Sequence, residues 1–121
     1  MSPPLRIAGV PKAAKSLVLI VDDPDAPGGL FSHWLIWNIN PTLTEIARGS
    51  VPSGAVEGTN DFGNRGYGAP CPPSGAHRYF FRVLALDQKL AVKAGSKRAQ
   101  LDQALRGHIL AQGELMGRVV H

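Results

Sequence analysis

SLVLIVDDPDAPGGLFSHW, residues 16–34, joins a wholly apolar run to a turn dense in Asp, Pro and Gly, and then to a histidine. The run at 16–22 is short, rich in β-branched residues and stopped by the Asp-Pro and Pro-Gly-Gly signals, so it reads as a strand buried on both faces. HWLIWNIN (33–40) is a second run of this kind, ended by Pro41, and HRYFFRVLALD (77–87) is a third and longer one. These three are expected at the centre of one sheet. Two readings of the turn stand at this point: three aspartates beside a histidine can line a ligand pocket, or they can simply form a polar turn.

The 121 residues suffice for one domain with a real core and leave no room for two. With 44% hydrophobic and 18% charged residues the chain falls in the globular range, away from disorder and from membrane proteins. No apolar run approaches bilayer length and SPPLRIAGVP, after Met1, has no signal-peptide core, which predicts a cytoplasmic protein without a transmembrane segment. The net charge of +4 would suit an anionic partner. Apart from Lys93, Lys97 and Arg98, however, the basic residues are scattered, and no nucleic-acid partner is expected. Cys71 is the single cysteine, so the fold must hold without an internal disulfide. Fourteen Gly and ten Pro imply many turns and favour β over α.

Between Pro41 and Pro73 no period is sustained, which predicts loop with short strands near Ile46 and Val56. A loop of that length in a small domain is usually functional or packed down. Downstream, SKRAQLDQALRGHILAQGEL (96–115) places Leu101, Leu105 and Ile109 at i, i+4 and i+8 with Ser96 as N-cap, the one convincing helix, and MGRVVH can add a last strand. His108 is expected on that helix, partly in the core.

Alternate strand residues share a face. His77, Tyr79 and Phe81 should therefore point one way and Arg78, Phe80 and Arg82 the other, while His33, Leu35 and Trp37 share a face of their own strand. If the strand ends are neighbours, His33, His77, Asp23 and Tyr79 converge at one end of the sheet beneath glycine-rich and proline-rich loops. Few polar groups in a partly apolar concavity are what small-ligand sites look like. The bland alternative is that each is a hydrogen-bonded turn or core residue.

DDPDAP (22–27) followed by HWLIWN, then GTNDFG (58–63), GYGAPCPPSGAHRYFFRVLALD (66–87) and the tail GHILAQGELMG (107–117), resembles the phosphatidylethanolamine-binding protein family in its bacterial and archaeal, Raf-kinase-inhibitor-like branch. The resemblance runs over nearly the whole chain. It implies a mainly β fold: a β-sandwich with a large central antiparallel sheet, few short helices and one C-terminal helix, as a single domain over residues 1–121. It further implies an anion-binding pocket made by Asp23, His33, His77 and Tyr79, with Ala26, Pro27 and Pro73 on its rim, and an ion pair between Asp25 and Arg78 that ties the two motifs together. Relatives of this kind carry a further strand before SPPL and an aromatic residue where this chain has Val119. An unpaired sheet edge would invite homodimerisation.

Imidazole N–H groups and a tyrosine hydroxyl can donate to phosphoryl oxygens, and Asp23 can orient a histidine or accept from a protonated phosphate or an ammonium group. The expectation is a non-enzymatic protein, with no cofactor and no catalytic residue, that binds a small phosphorylated ligand or a phospholipid head group. For some relatives the family name implies inhibition of a kinase or protease, an activity of the surface that would survive His77→Ala. Two histidines and an aspartate are also a ligand set for iron or zinc, although no metal is expected, and a hydrolase built on Cys71 and a histidine is a further alternative.

Overall fold

In the computed structural model, residues 5–25, 29–47, 49–68 and 76–120 are described, with the backbone alone at 76–77 and 115–120. The apolar run at its head becomes β2 (Ser16–Asp23), buried along its whole length. It has that burial because it is the middle strand of a five-stranded antiparallel sheet. Its neighbours are β3 (Phe31–Ile39) and β6 (Ala76–Leu86), so the three runs do form the centre. β5 (Val56–Glu57) closes one side and β7 (Ile109–Val120) the other.

The sheet has a separate apolar layer on each face. On one, Leu17, Leu19 and Val21 of β2, with Trp34 and Ile36 of β3 and Ala85 of β6, meet Leu5 and Ile46 of a two-stranded sheet, β1 (Leu5–Arg6) with β4 (Glu45–Ile46). On the other, Val18, Ile20, Leu35, Trp37 and Leu84 meet Leu101 and Leu105 of α1 (Arg98–Leu105). This is the expected sandwich. The short strands near Ile46 and Val56 are present as β4 and β5.

The helix is shorter than the periodicity suggests. It starts after Lys97, whose N–H donates to Gln100 Oε1 at 3.0 Å, rather than after Ser96, whose carbonyl is taken by the Thr59 N–H at 2.9 Å. It ends at Leu105 because Gly107 turns the chain at φ +79° and Ile109 pairs with Leu86 as the first residue of β7. His108 consequently lies in the turn and not on the helix, with Nδ1 2.9 Å from Asp87 Oδ1. The apolar i+4 series continued into Ile109, but a ladder in which the 12-residue β7 pairs along β6 satisfies more backbone groups than two further helical turns through Gly107 and Gly113 would. No helix among the described residues is long and apolar enough to cross a membrane.

Candidate functional site

The end of β2 sets the site. Asp23, 3% exposed, pairs with Phe31 across the β2–β3 ladder, and Asp22 pairs with Phe80 of β6 on the other side. Between Val21↔Trp34 and Asp22↔Ser32, β2 advances by one residue and β3 by two, so His33 is the extra residue of a β-bulge. A bulge re-aims the side chain it carries. Leu35 and Trp37 stay in the layer over α1, whereas the His33 ring meets Tyr79 at 5.1 Å, on the β6 face that carries Phe81 and Val83. The shared face expected for His33, Leu35 and Trp37 is thus corrected, and the same bulge is what brings His33 to Asp23 and Tyr79.

The loop after β5 then closes over the ring. Gly68 donates its N–H to the His33 carbonyl at 2.8 Å and accepts from His33 Nδ1 at 2.9 Å. Since a carbonyl only accepts, Nδ1 carries the proton and Nε2 is a lone-pair acceptor. The N–H expected to face an anion from His33 is therefore spent on the backbone. Asn60, 1% exposed, organises the loop: Oδ1 accepts from Phe62 N–H (3.0 Å) and Asn64 N–H (3.2 Å), and Nδ2 donates to the Gly66 carbonyl (3.0 Å). Asp61 fixes it to β3 by accepting from Ser32 N–H and donating its own N–H to the Ser32 carbonyl. The result is an aromatic wall in which Phe62 stands 4.7 Å from Phe31 and 5.4 Å from His33, ring centre to ring centre. A Cβ on Gly68 would run into the Phe62 ring, so glycine is needed there.

Asp25 holds the turn. Asp23 Oδ1 accepts from Asp25 N–H at 2.8 Å, an Asx turn across Pro24. The Asp25 carboxylate receives Arg78 Nε at 2.9 Å, Nη2 at 2.8 Å and the Arg78 backbone N–H at 2.9 Å. This bidentate pair joins the turn after β2 to the start of β6, as expected for the two motifs. On the opposite face, Ser32 Oγ and Arg98 Nη1 both reach the buried Asp22 carboxylate, at 2.9 and 2.6 Å, anchoring α1 beneath the site.

Burial lowers the His33 pKa from its usual value. The Gly68 carbonyl and the charges of Asp23, Asp22 and Asp61 oppose that shift without reversing it. His33 is accordingly neutral at pH 7.

Of the residues singled out from sequence, Asp23, His33 and Tyr79 come together, all three buried. Asp25 and Arg78 brace them. The backbone of His77 lies two residues before Tyr79 at the same end of the sheet and its side chain is outside the described residues, as are Ala26, Pro27, Pro73 and Cys71. Phe31, Phe62 and Gly68 were not foreseen. The only sign of them was the GTNDFG stretch, whose docking onto β3 is tertiary.

A family model described as phosphatidylethanolamine-binding protein matches residues 1–120. A UPF0098 protein of Pyrococcus horikoshii is 49% identical over 126 residues, covering 97% of this chain and 63% of its own length. One of Methanothermobacter thermautotrophicus is 48% identical over 122 residues, covering 97% and 81%. Among solved structures, a phosphatidylethanolamine-binding protein homologue from Chlamydia trachomatis superposes with a TM-score of 0.94 at 46% identity, over 99% of this chain and 81% of that one. Escherichia coli YbcL superposes at 0.91 with 37% identity, over 99% and 80%. With the sheet order, the buried aspartate and the bulged histidine in place, these matches make one statement: the chain belongs to the phosphatidylethanolamine-binding protein family.

Proposed function

We propose that this protein binds a small phosphorylated ligand, free or as a lipid head group, at the corner formed by Asp23, His33 and Tyr79, and does not turn it over. The observation that carries the reading is the bulge at His33, which takes a polar ring out of the core layer and sets it beside a buried carboxylate under an aromatic wall. A strand bulge of this kind is a feature for aiming a side chain rather than for packing.

The absence of turnover is supported by what His33 touches. A nucleophile–base pair needs a hydroxyl or thiol within hydrogen-bond reach of the imidazole. Here Nδ1 is bonded to a backbone carbonyl, and the nearest serine in sequence, Ser32, turns to Asp22 and Arg98 on the opposite face. Among the described residues no three His, Cys, Asp or Glu side chains are grouped to hold a metal ion. The metal and thiol-hydrolase alternatives both turn on side chains outside the described set, His77 and Cys71.

Calorimetry with O-phosphorylethanolamine tests the reading. The expected result is saturable one-site binding that weakens about 10- to 100-fold in His33→Ala, the cost of losing a hydrogen bond to a charged group. Equal affinity in the variant, with heat-unfolding midpoints alike, would place the ligand elsewhere.

A further inference from the structure

The two edges of the large sheet are not alike. β5 is two residues long, and an edge that short offers little to another strand. β7 runs for 12 residues, with β6 along one side and, among the described residues, no strand along the other. Its sequence, ILAQGELMGRVV, holds no proline and no lysine, residues that guard a sheet edge against pairing. Its bulge falls at Leu110, and from Ala111 to Val120 its ladder on β6 is regular. Ile109 and Leu110, at its start, are 46% and 43% exposed. The longest stretch outside the described residues, 69–75, has seven residues, too few to pair along the nine from Gln112 to Val120.

We propose that β7 pairs antiparallel with β7 of a second copy of this chain about a two-fold axis at Met116, joining two five-stranded sheets into one. Such an axis sets Glu114 opposite Arg118 of the second copy and, by symmetry, Arg118 opposite Glu114. It also sets Leu115 opposite Gly117 and Val119 opposite Gly113, so each glycine of the paired stretch faces a large apolar residue. Glycine inside a strand marks a place where another chain approaches closely. A Cβ on Gly113 would meet nothing of its own chain within 4 Å. The neighbouring registers lose this fit: an axis at Glu114 sets two carboxylates face to face, and one at Leu115 sets Gly113 against Gly117. The charges of β6 favour the same register. Glu114 stands opposite Arg82, 3.5 Å away, whereas Arg118 stands opposite Arg78, like charge against like, with Arg78 itself held by Asp25. Glu114 of the second copy adds a carboxylate to that row. Gly117 and Val119 pair with Tyr79 and His77, so the seam of the dimer runs one strand away from the candidate site.

Sedimentation velocity on the full chain tests the pairing. The wild type should be dimeric at about 100 µM and dissociate on dilution toward about 1 µM. Glu114→Arg and Arg118→Glu, each alone, put like charges opposite one another at both ends of the seam and should weaken the dimer by about tenfold or more. Mixed in equal amounts, the two variants should form a heterodimer with an affinity near that of the wild type, because each then meets the opposite charge on the other. The double variant, Glu114→Arg with Arg118→Glu, should pair with itself, and it carries the test if a single variant lacks native strand signals by circular dichroism. A wild type that is monomeric at about 100 µM would overturn the β7 pairing. So would single variants that dimerise like the wild type, or mixed and double variants that stay monomeric.

Discussion

At the scale of the residue, His33 shows how one extra strand position makes a site. Its identity and its closeness to Asp23 were legible in the sequence, because a histidine after an Asp-Pro turn is unusual on an apolar strand. Its direction was not, because strict alternation assigned it to the layer of Leu35 and Trp37, and the bulge that reverses it is set by pairing with β2. A buried neutral imidazole carries a pH signature. Its folded pKa lies below 6.5, so in the interval between the two values the unfolded chain binds more protons than the folded one. His33 should therefore favour the native state fully above pH 6.5 and lose that contribution as pH falls through its lowered pKa. Urea unfolding at several pH values would show this loss, and His33→Gln should flatten it; an unchanged slope would mean that another group carries the dependence. Gly68→Ala makes a second prediction. The added Cβ meets Phe62 and Asn60 Nδ2, so the ring must leave the His33 wall. Ligand affinity should fall at least tenfold with the sheet retained, read as native strand signals by circular dichroism beside a displaced Phe62 resonance.

At the scale of the element, the three long strands were legible because each is an apolar run bounded by turn residues, and their adjacency followed from being too apolar for any edge. The end of α1 was not, since Leu101, Leu105 and Ile109 keep helical spacing across a glycine whose positive φ only the β6–β7 ladder explains. The helix is attached to the site by charge as well as by Leu101 and Leu105. Arg98 is 18% exposed and Asp22 4%, so their pair is largely withdrawn from water, and Ser32 Oγ completes it. Removing one member leaves the other buried without its partner, at a cost of about 3–5 kcal/mol. Arg98→Ala should destabilise the protein by that order in denaturant unfolding, whereas Asp22→Asn with Arg98→Met should cost much less. Equal losses in the two variants would show that the packing of the arginine stem, and not the charge left behind, decides the effect.

At the scale of the whole molecule, β2, β3 and β6 are shared by both apolar layers, and the two tryptophans report on opposite sides. Trp34 lies in the layer under the small sheet, with Nε1 donating to Glu57 Oε2 at 2.8 Å, and Trp37 lies in the layer over α1. Because the same strands line both layers, neither can melt alone. Single-tryptophan variants, Trp34→Phe and Trp37→Phe, should unfold in urea with the midpoint seen for each by circular dichroism, as one cooperative transition. A fluorescence transition that precedes the loss of strand signal in one variant would divide the sandwich into separate units. The same architecture puts the corner of Asp23, His33 and Tyr79 at one end of the sheet and the His108–Asp87 pair at the other, since Ser16 at the start of β2 pairs with Leu86. That separation supplies an internal control for the account as a whole. The most direct test is an NMR titration of the histidine side chains with O-phosphorylethanolamine, repeated with zinc. A phosphoryl pocket predicts saturable shifts at His33 and His77 with the phosphate ester and none at His108. Shifts at those two histidines with zinc alone, tight and stoichiometric, would contradict it and make the corner a metal centre.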